Sequence, residues 1–124
     1  MKLPAKLGGV VTRYEGNGRR LGYPTANIDV QTDLADGVYF GHASLGDYVD
    51  QPALLFVGTP TTMGSQRRRV EAHLLDVENR DYYGERLDAV FEHFHRPNER
   101  FESVEALLAA MRSDEHAGRK WLQT

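Results

Sequence analysis

The chain has 124 residues, a formal net charge of −3 and no cysteine. A single domain of this size buries about two thirds of its unfolded surface, and the missing cysteines exclude disulfides, thiolate metal sites and a cysteine nucleophile. Eighteen acidic against fifteen basic residues argue against a generic nucleic-acid binder, and no apolar run suits a signal peptide or a membrane span. The expectation is a cytoplasmic monomer, one domain over residues 1–124, whose partners are small molecules rather than nucleic acid or membrane.

In chain order, Val10 and Val11 open the first extended segment, and GNGRRLGYPTAN (16–27) follows. With three glycines and a proline, that stretch is poor helix material and only half plausible as a strand. After the Asp36-Gly37 turn signal, VYFGHASL (38–45) reads as a strand with aromatic rings on both faces. Gly46-Asp47 marks another turn, and ALLFV (53–57) suits a short buried strand. RVEAHLLD (69–76) sets Val70, Ala72 and Leu74 on one face against Glu71, His73 and Leu75 on the other. Over 87–95, Leu87, Ala89, Phe91, His93 and His95 oppose Asp88, Val90, Glu92 and Phe94. The period then changes. Ser103 offers a helix N-cap, and Val104, Leu107, Leu108 and Met111 recur at helical spacing, with Trp121 and Leu122 extending the stripe if the helix passes Gly118. Roughly six strands followed by one helix fit a small antiparallel barrel with the helix packed on it.

Several residues could carry chemistry. Gly16, Gly18 and Gly22 let a ligand approach the backbone, whose N–H groups can cradle an anion beside Arg19 and Arg20. Neither the P-loop nor the dinucleotide glycine spacing is present. Pro24 biases Tyr23 toward extended geometry, which points Thr25 and Asn27 to one side as hard oxygen ligands for Mg²⁺ or a phosphate oxygen. The ordinary alternative is that both side chains bond their own loop. Glu71, mid-strand between apolar neighbours, faces either solvent or a site where it could act as a base. His93 and His95 offer two imidazoles without a third ligand, and Gln66 to Arg69 reads as a solvated basic loop, or else one that touches phosphate or an acidic partner. Tyr82 and Tyr83 belong to a turn with its aromatics folded inward, or else stack a planar ligand.

Taken together and in order, these segments resemble the riboflavin kinase (flavokinase) family over about residues 9–122. The resemblance rests on the glycine/arginine loop running into LGYPTAN, on GVYFG (37–41), VEAHLLD (70–76), DYYGERL (81–87) and RPNERF (96–101), and on a closing helix carrying Asp114. It implies a six-stranded antiparallel Greek-key barrel with a C-terminal helix, and ATP-dependent phosphorylation of the riboflavin 5′-hydroxyl to give FMN and ADP. By motif match Thr25 and Asn27 would hold Mg²⁺ and nucleotide phosphate, and Glu71 would be the base. Gly16, Gly18, Arg19 and Gly22 would cover the phosphates, and the Asp81–Glu85 turn would be part of a flap over the flavin. An apolar slot by Tyr82, Tyr83, Leu107 and Met111 would suit the flavin ring. The chain departs from the family pattern at Tyr14, Asn17, GTPTTM (58–63) and His95. Those departures leave a second reading open, a weak or inactive flavin-binding or sensing module on the same barrel. The nucleotidyltransferase domain fused to many bacterial relatives is not part of this sequence, so the expected product is FMN, with FAD made elsewhere.

Overall fold

The structure, a computed structural model, describes residues 2–12, 25–59 and 68–123. Six strands, β1 (Ala5–Thr12), β2 (Ala26–Ile28), β3 (Gly37–Leu45), β4 (Tyr48–Gly58), β5 (Arg69–Leu74) and β6 (Arg86–Arg96), precede one helix, α1 (Val104–Leu122). Every neighbouring pair is antiparallel, and the order β1-β2-β5-β4-β3-β6 closes into a barrel. Closure removes the exposed strand edges that an open sheet of this size would carry.

The barrel fills its own interior. Val11, Ile28, Tyr39, Leu55, Val57, Val70, Ala72, Leu87 and Phe91 are buried in one cluster, each large side chain contributing about 1.5–3 kcal/mol. Period-two alternation therefore assigns each strand's other side chains to the outer wall. β1 starts earlier than Val10 because Ala5 and Leu7 also point inward, and β4 reaches back to Tyr48 because it forms a hairpin with β3 through the Gly46-Asp47 turn. β2 is the strand that local pattern missed. It is three residues long, buried throughout, and paired with β1 and β5.

β6 departs from simple alternation. Its register against β3 shifts between Phe91 and His93 and again between Phe94 and Arg96. Each β-bulge inserts one extra residue and turns the following side chains over. His93 and His95 thus do not continue the inward row of Leu87, Ala89 and Phe91. Phe94 meets Tyr39 edge-on at 5.2 Å, while both histidines stack against Phe40 on the outer wall.

Ser103 caps α1, its Oγ accepting from the Ala106 N–H at 3.1 Å. The helix runs through Gly118 and docks by its C-terminal half. Ala117, Trp121 and Leu122 pack on Phe40, Leu54 and Leu75, and a Cβ on Gly118 would come within 2.5 Å of Leu54 Cδ2. Ion pairs tie the helix down. Arg96 grips the buried Asp114 through Nε at 2.8 Å and Nη2 at 2.7 Å, and Arg119 grips Asp76 at 2.9 and 3.0 Å. Of the expected stripe, Val104 is exposed and Leu107, Leu108 and Met111 are half-buried, while its extension past Gly118 to Trp121 and Leu122 packs on the barrel. Among the described residues no helix is long and apolar enough to cross a membrane.

Candidate active site

The site forms where β2 is wedged between β1 and β5. Asn27 lies directly opposite Thr12 on one side and Glu71 on the other, and Glu71 lies opposite Phe56 on β4. Directly opposed residues share a face, with Cβ atoms about 4.5–5.5 Å apart. Ala26, Ile28, Val70 and Ala72 belong to the interior cluster, so Thr12, Asn27, Glu71 and Phe56 form a row on the outer wall. Thr25, half-buried, immediately precedes β2, two residues before Asn27.

Asn27 is 6 % exposed, and its Oδ1 has no hydrogen-bond partner among the described residues. A buried carbonyl left without a donor costs about 1–3 kcal/mol, and a hard cation answers that need. The donor set fits Mg²⁺ of the kind that nucleotide phosphates largely coordinate, with few protein ligands. No group of three or more His, Cys, Asp or Glu that could hold a metal ion occurs among the described residues. Glu71 keeps its side chain 24 % exposed and its Oε1 lies 3.9 Å from Nε of Arg69, whose side chain is 1 % exposed. The carboxylate is thus neither buried nor fully solvated. Arg69, expected to end a solvated loop, is instead among the most enclosed side chains of the barrel.

Other candidates fall elsewhere. Tyr82 is 3 % exposed and packs in the interior cluster, its hydroxyl donating to Glu78 O at 2.5 Å and its ring covered by the Arg80 guanidinium at 4.0 Å. Tyr83 is half-buried against the same cluster. Their turn is stitched to β1 by bonds from Gly84 N to Val11 O at 3.0 Å and from Val11 N to Glu85 O at 2.9 Å. It sits beside the start of β6, whereas Met111 lies one helical turn before Asp114, which binds Arg96 at the end of β6. Those ends are separated by roughly 30 Å of strand. The four residues expected to share one flavin slot therefore do not meet. Gly16, Gly18, Arg19, Gly22, Gln66 and most of GTPTTM lie outside the described residues.

Asn98 and Phe56 were not singled out from sequence. Asn98 donates from Nδ2 to Val57 O at 2.9 Å, and a Cβ on Gly58 would meet both Asn98 and the Phe56 ring. The one signal for Phe56 was its alternation with the inward Leu55 and Val57. Nearby on β5, burial holds the His73 imidazole down to about 4, with the Glu115 carboxylate raising it and Arg119 lowering it further.

Fold and geometry together define a class, a closed antiparallel barrel with Thr12, Asn27, Glu71 and Phe56 in a row on its outer wall. Comparison with known proteins supplies the family. A family model described as riboflavin kinase matches residues 1–122. The human protein named riboflavin kinase is 30 % identical over 128 residues, covering 98 % of this chain and 83 % of its own. A riboflavin kinase structure from Trypanosoma brucei aligns with a TM-score of 0.72 at 24 % identity, covering 96 % of this chain and 77 % of that one. A Streptococcus pneumoniae structure named as a macrolide-efflux protein aligns with a TM-score of 0.79 at 30 % identity, covering 95 % of this chain and 39 % of that one. The chain belongs to the riboflavin kinase family.

Proposed function

We propose that the protein transfers the γ-phosphoryl group of ATP to the 5′-hydroxyl of riboflavin, forming FMN and ADP. The observation that carries the reading is the juxtaposition of Asn27 and Glu71 on neighbouring strands, in a chain that matches the family over nearly its whole length. Phosphoryl transfer asks a protein mainly for positioning and charge stabilisation. Glu71, partly exposed at the outer wall, accepts the proton of the ribityl hydroxyl as that oxygen bonds to the γ-phosphorus and the bond to the β–γ bridging oxygen breaks. Thr25 and Asn27 would hold Mg²⁺ against the nucleotide phosphates, where it neutralises their charge. The backbone and Arg19 of the glycine stretch at Gly16, Gly18 and Gly22 would cover those phosphates.

The flavin ring is placed between Phe56 and the N-terminal half of α1. Two features support this: Phe56 shares the Glu71 row, and Leu107 and Met111 remain half-buried although the helix docks by its other half. The enclosed ring of Tyr82 plays no part in it. We further infer a monomer working in the cytoplasm on these small molecules.

The test is chromatographic detection of FMN after incubation with riboflavin, ATP and Mg²⁺, beside the Glu71→Gln variant. A positioned base is worth about 10²–10⁴-fold, so the variant is expected to be slower by at least about 100-fold with nucleotide affinity retained. No Mg²⁺-dependent FMN from the wild type overturns the kinase reading. Equal rates from both proteins keep the kinase and remove the base.

A further inference from the structure

Arg68 belongs to the basic run that the reaction above does not use. It immediately precedes β5, and its guanidinium grips the segment that carries the chain from β2 to β3. Nε donates to Asp36 Oδ1 at 2.8 Å, Nη1 to Thr32 O at 3.1 Å and Nη2 to Leu34 O at 2.8 Å. A planar fork can serve three such acceptors, whereas one ammonium cannot span them. The gripped segment is packed into the barrel. Leu34 belongs to the interior cluster, the Tyr39 hydroxyl donates to Ala35 O at 2.6 Å, and Thr32 Oγ1 accepts from Leu34 N at 3.2 Å. The ion pair with Asp36 is itself a surface contact, with side chains 40 % and 51 % exposed, and such pairs hold little alone. The two bonds to backbone carbonyls make it a clamp on the chain.

That clamp lies next to the site. Ile28 pairs with Val70 and Asn27 with Glu71, so Arg68 fastens the exit of β2 three residues before Glu71 on the same run of chain. β2 has three residues, and a slip of one residue would turn Asn27 from the outer wall to the interior. We propose that Arg68 is a positioning residue for the metal–nucleotide site, fixing the register that sets Asn27 opposite Glu71. The inference deepens the proposed reaction and rests on Asn27 being a ligand of the Mg²⁺ that accompanies the nucleotide. Its effect falls on the Mg²⁺ requirement and leaves the riboflavin KM alone.

Two measurements test it, with urea unfolding as the folding control. The first is amide hydrogen exchange of the unliganded protein over residues 25–36. Arg68→Met is expected to exchange about tenfold faster there, as a locally loosened segment does, with β3 and β6 unchanged. The second is a double-mutant cycle on the Mg²⁺ concentration for half-maximal FMN formation, using wild type, Arg68→Met, Asn27→Ala and the double variant. Arg68→Met is expected to raise it about threefold, less than the 10- to 100-fold cost of losing a group bonded directly to a metal ligand. The riboflavin KM stays within about twofold. The rise disappears in the Asn27→Ala background, because coupled residues are not additive. Arg68→Lys keeps the charge without the fork and is expected to recover little of the loss. Unchanged exchange over 25–36 overturns the inference, as does an unchanged Mg²⁺ requirement. So does a rise of the same size in the Asn27→Ala background, or full recovery by lysine, since either would set the Arg68 charge on the nucleotide phosphates themselves. If Arg68→Met does not fold, Arg68→Lys carries both measurements, with the same results overturning the inference. Asn27→Ala at the wild-type Mg²⁺ requirement removes the ligand, and no FMN from the wild type removes the reaction. Each overturns the reading on which the inference rests, while the exchange result reads the clamp by itself.

Discussion

Asn27 shows how one side chain separates function from stability. Its Oδ1 is buried without a hydrogen-bond partner among the described residues, so the folded protein bears an unmet desolvation cost until a ligand arrives. Replacing it with alanine removes that cost along with the proposed metal ligand. Asn27→Ala is therefore expected to keep or slightly raise the urea midpoint of the unliganded protein, while raising the Mg²⁺ concentration for half-maximal FMN formation by about tenfold. A clear loss of stability with an unchanged Mg²⁺ requirement would make Asn27 an ordinary structural amide. The Thr25/Asn27 pair was legible in sequence because proline and β alternation act locally. The unmet oxygen was not, because it depends on what β1 and β5 bring alongside. Tyr82 shows the converse. Its composition suits stacking a planar ligand, yet closure of the barrel encloses it, and nothing in DYYGE distinguishes an inward ring from a presented one.

At the level of elements, the helix gives the sharpest departure from sequence pattern. Spacing points to Val104, Leu107, Leu108 and Met111, extended by Trp121 and Leu122; the extension packs on the barrel, and Asp114 and Gly118 anchor the helix beside it. The reason is that a charged residue and a glycine carry no apolar signal, although here one satisfies Arg96 and the other permits close approach. Gly118→Ala is expected to lose about 1–3 kcal/mol by overpacking against Leu54 and Phe40, outweighing the gain of about 1 kcal/mol from better helix propensity. Asp114→Ala leaves the Arg96 charge three-quarters enclosed without its bidentate partner. The expected loss is about 2 kcal/mol, less than the breaking of a fully buried pair because part of Arg96 reaches water. Urea midpoints of the two variants check both figures, and a stabilised Gly118→Ala would contradict the close packing. The bulges in β6 follow the same rule. A residue pattern of perfect alternation cannot announce an inserted residue, and His93 and His95 consequently change sides.

Across the whole molecule, stability should depend on pH through His73. Its folded value lies near 4, below the ordinary 6.5 of the unfolded chain, so the unfolded state binds the proton first as pH falls. Stability contributed by the neutral imidazole is complete above about pH 6.5 and declines between 6.5 and 4, by on the order of 3 kcal/mol in total. Urea unfolding at pH 7.5 and pH 5 should show the loss, and His73→Gln should flatten the difference. An equal pH slope in that variant would assign the effect to the molecule's carboxylates. The groups that set the value come from α1 as well as β5, so the slope also reports whether the helix stays docked.

Antiparallel strand content, the barrel class, the terminal helix and the candidacy of Thr25, Asn27 and Glu71 were all determined by the sequence itself. Each follows from short-range rules of alternation, turn chemistry and capping, or from motifs in a specific order. Only the tertiary structure decided that β2 is a strand, that the candidate site lies on the outer wall rather than in the lumen, and that Arg69 stands enclosed beside Glu71. It also decided that the two halves of the expected flavin slot are far apart. These depend on register between strands distant in sequence and on the closure of the barrel, and no local pattern records which distant strand a residue will face.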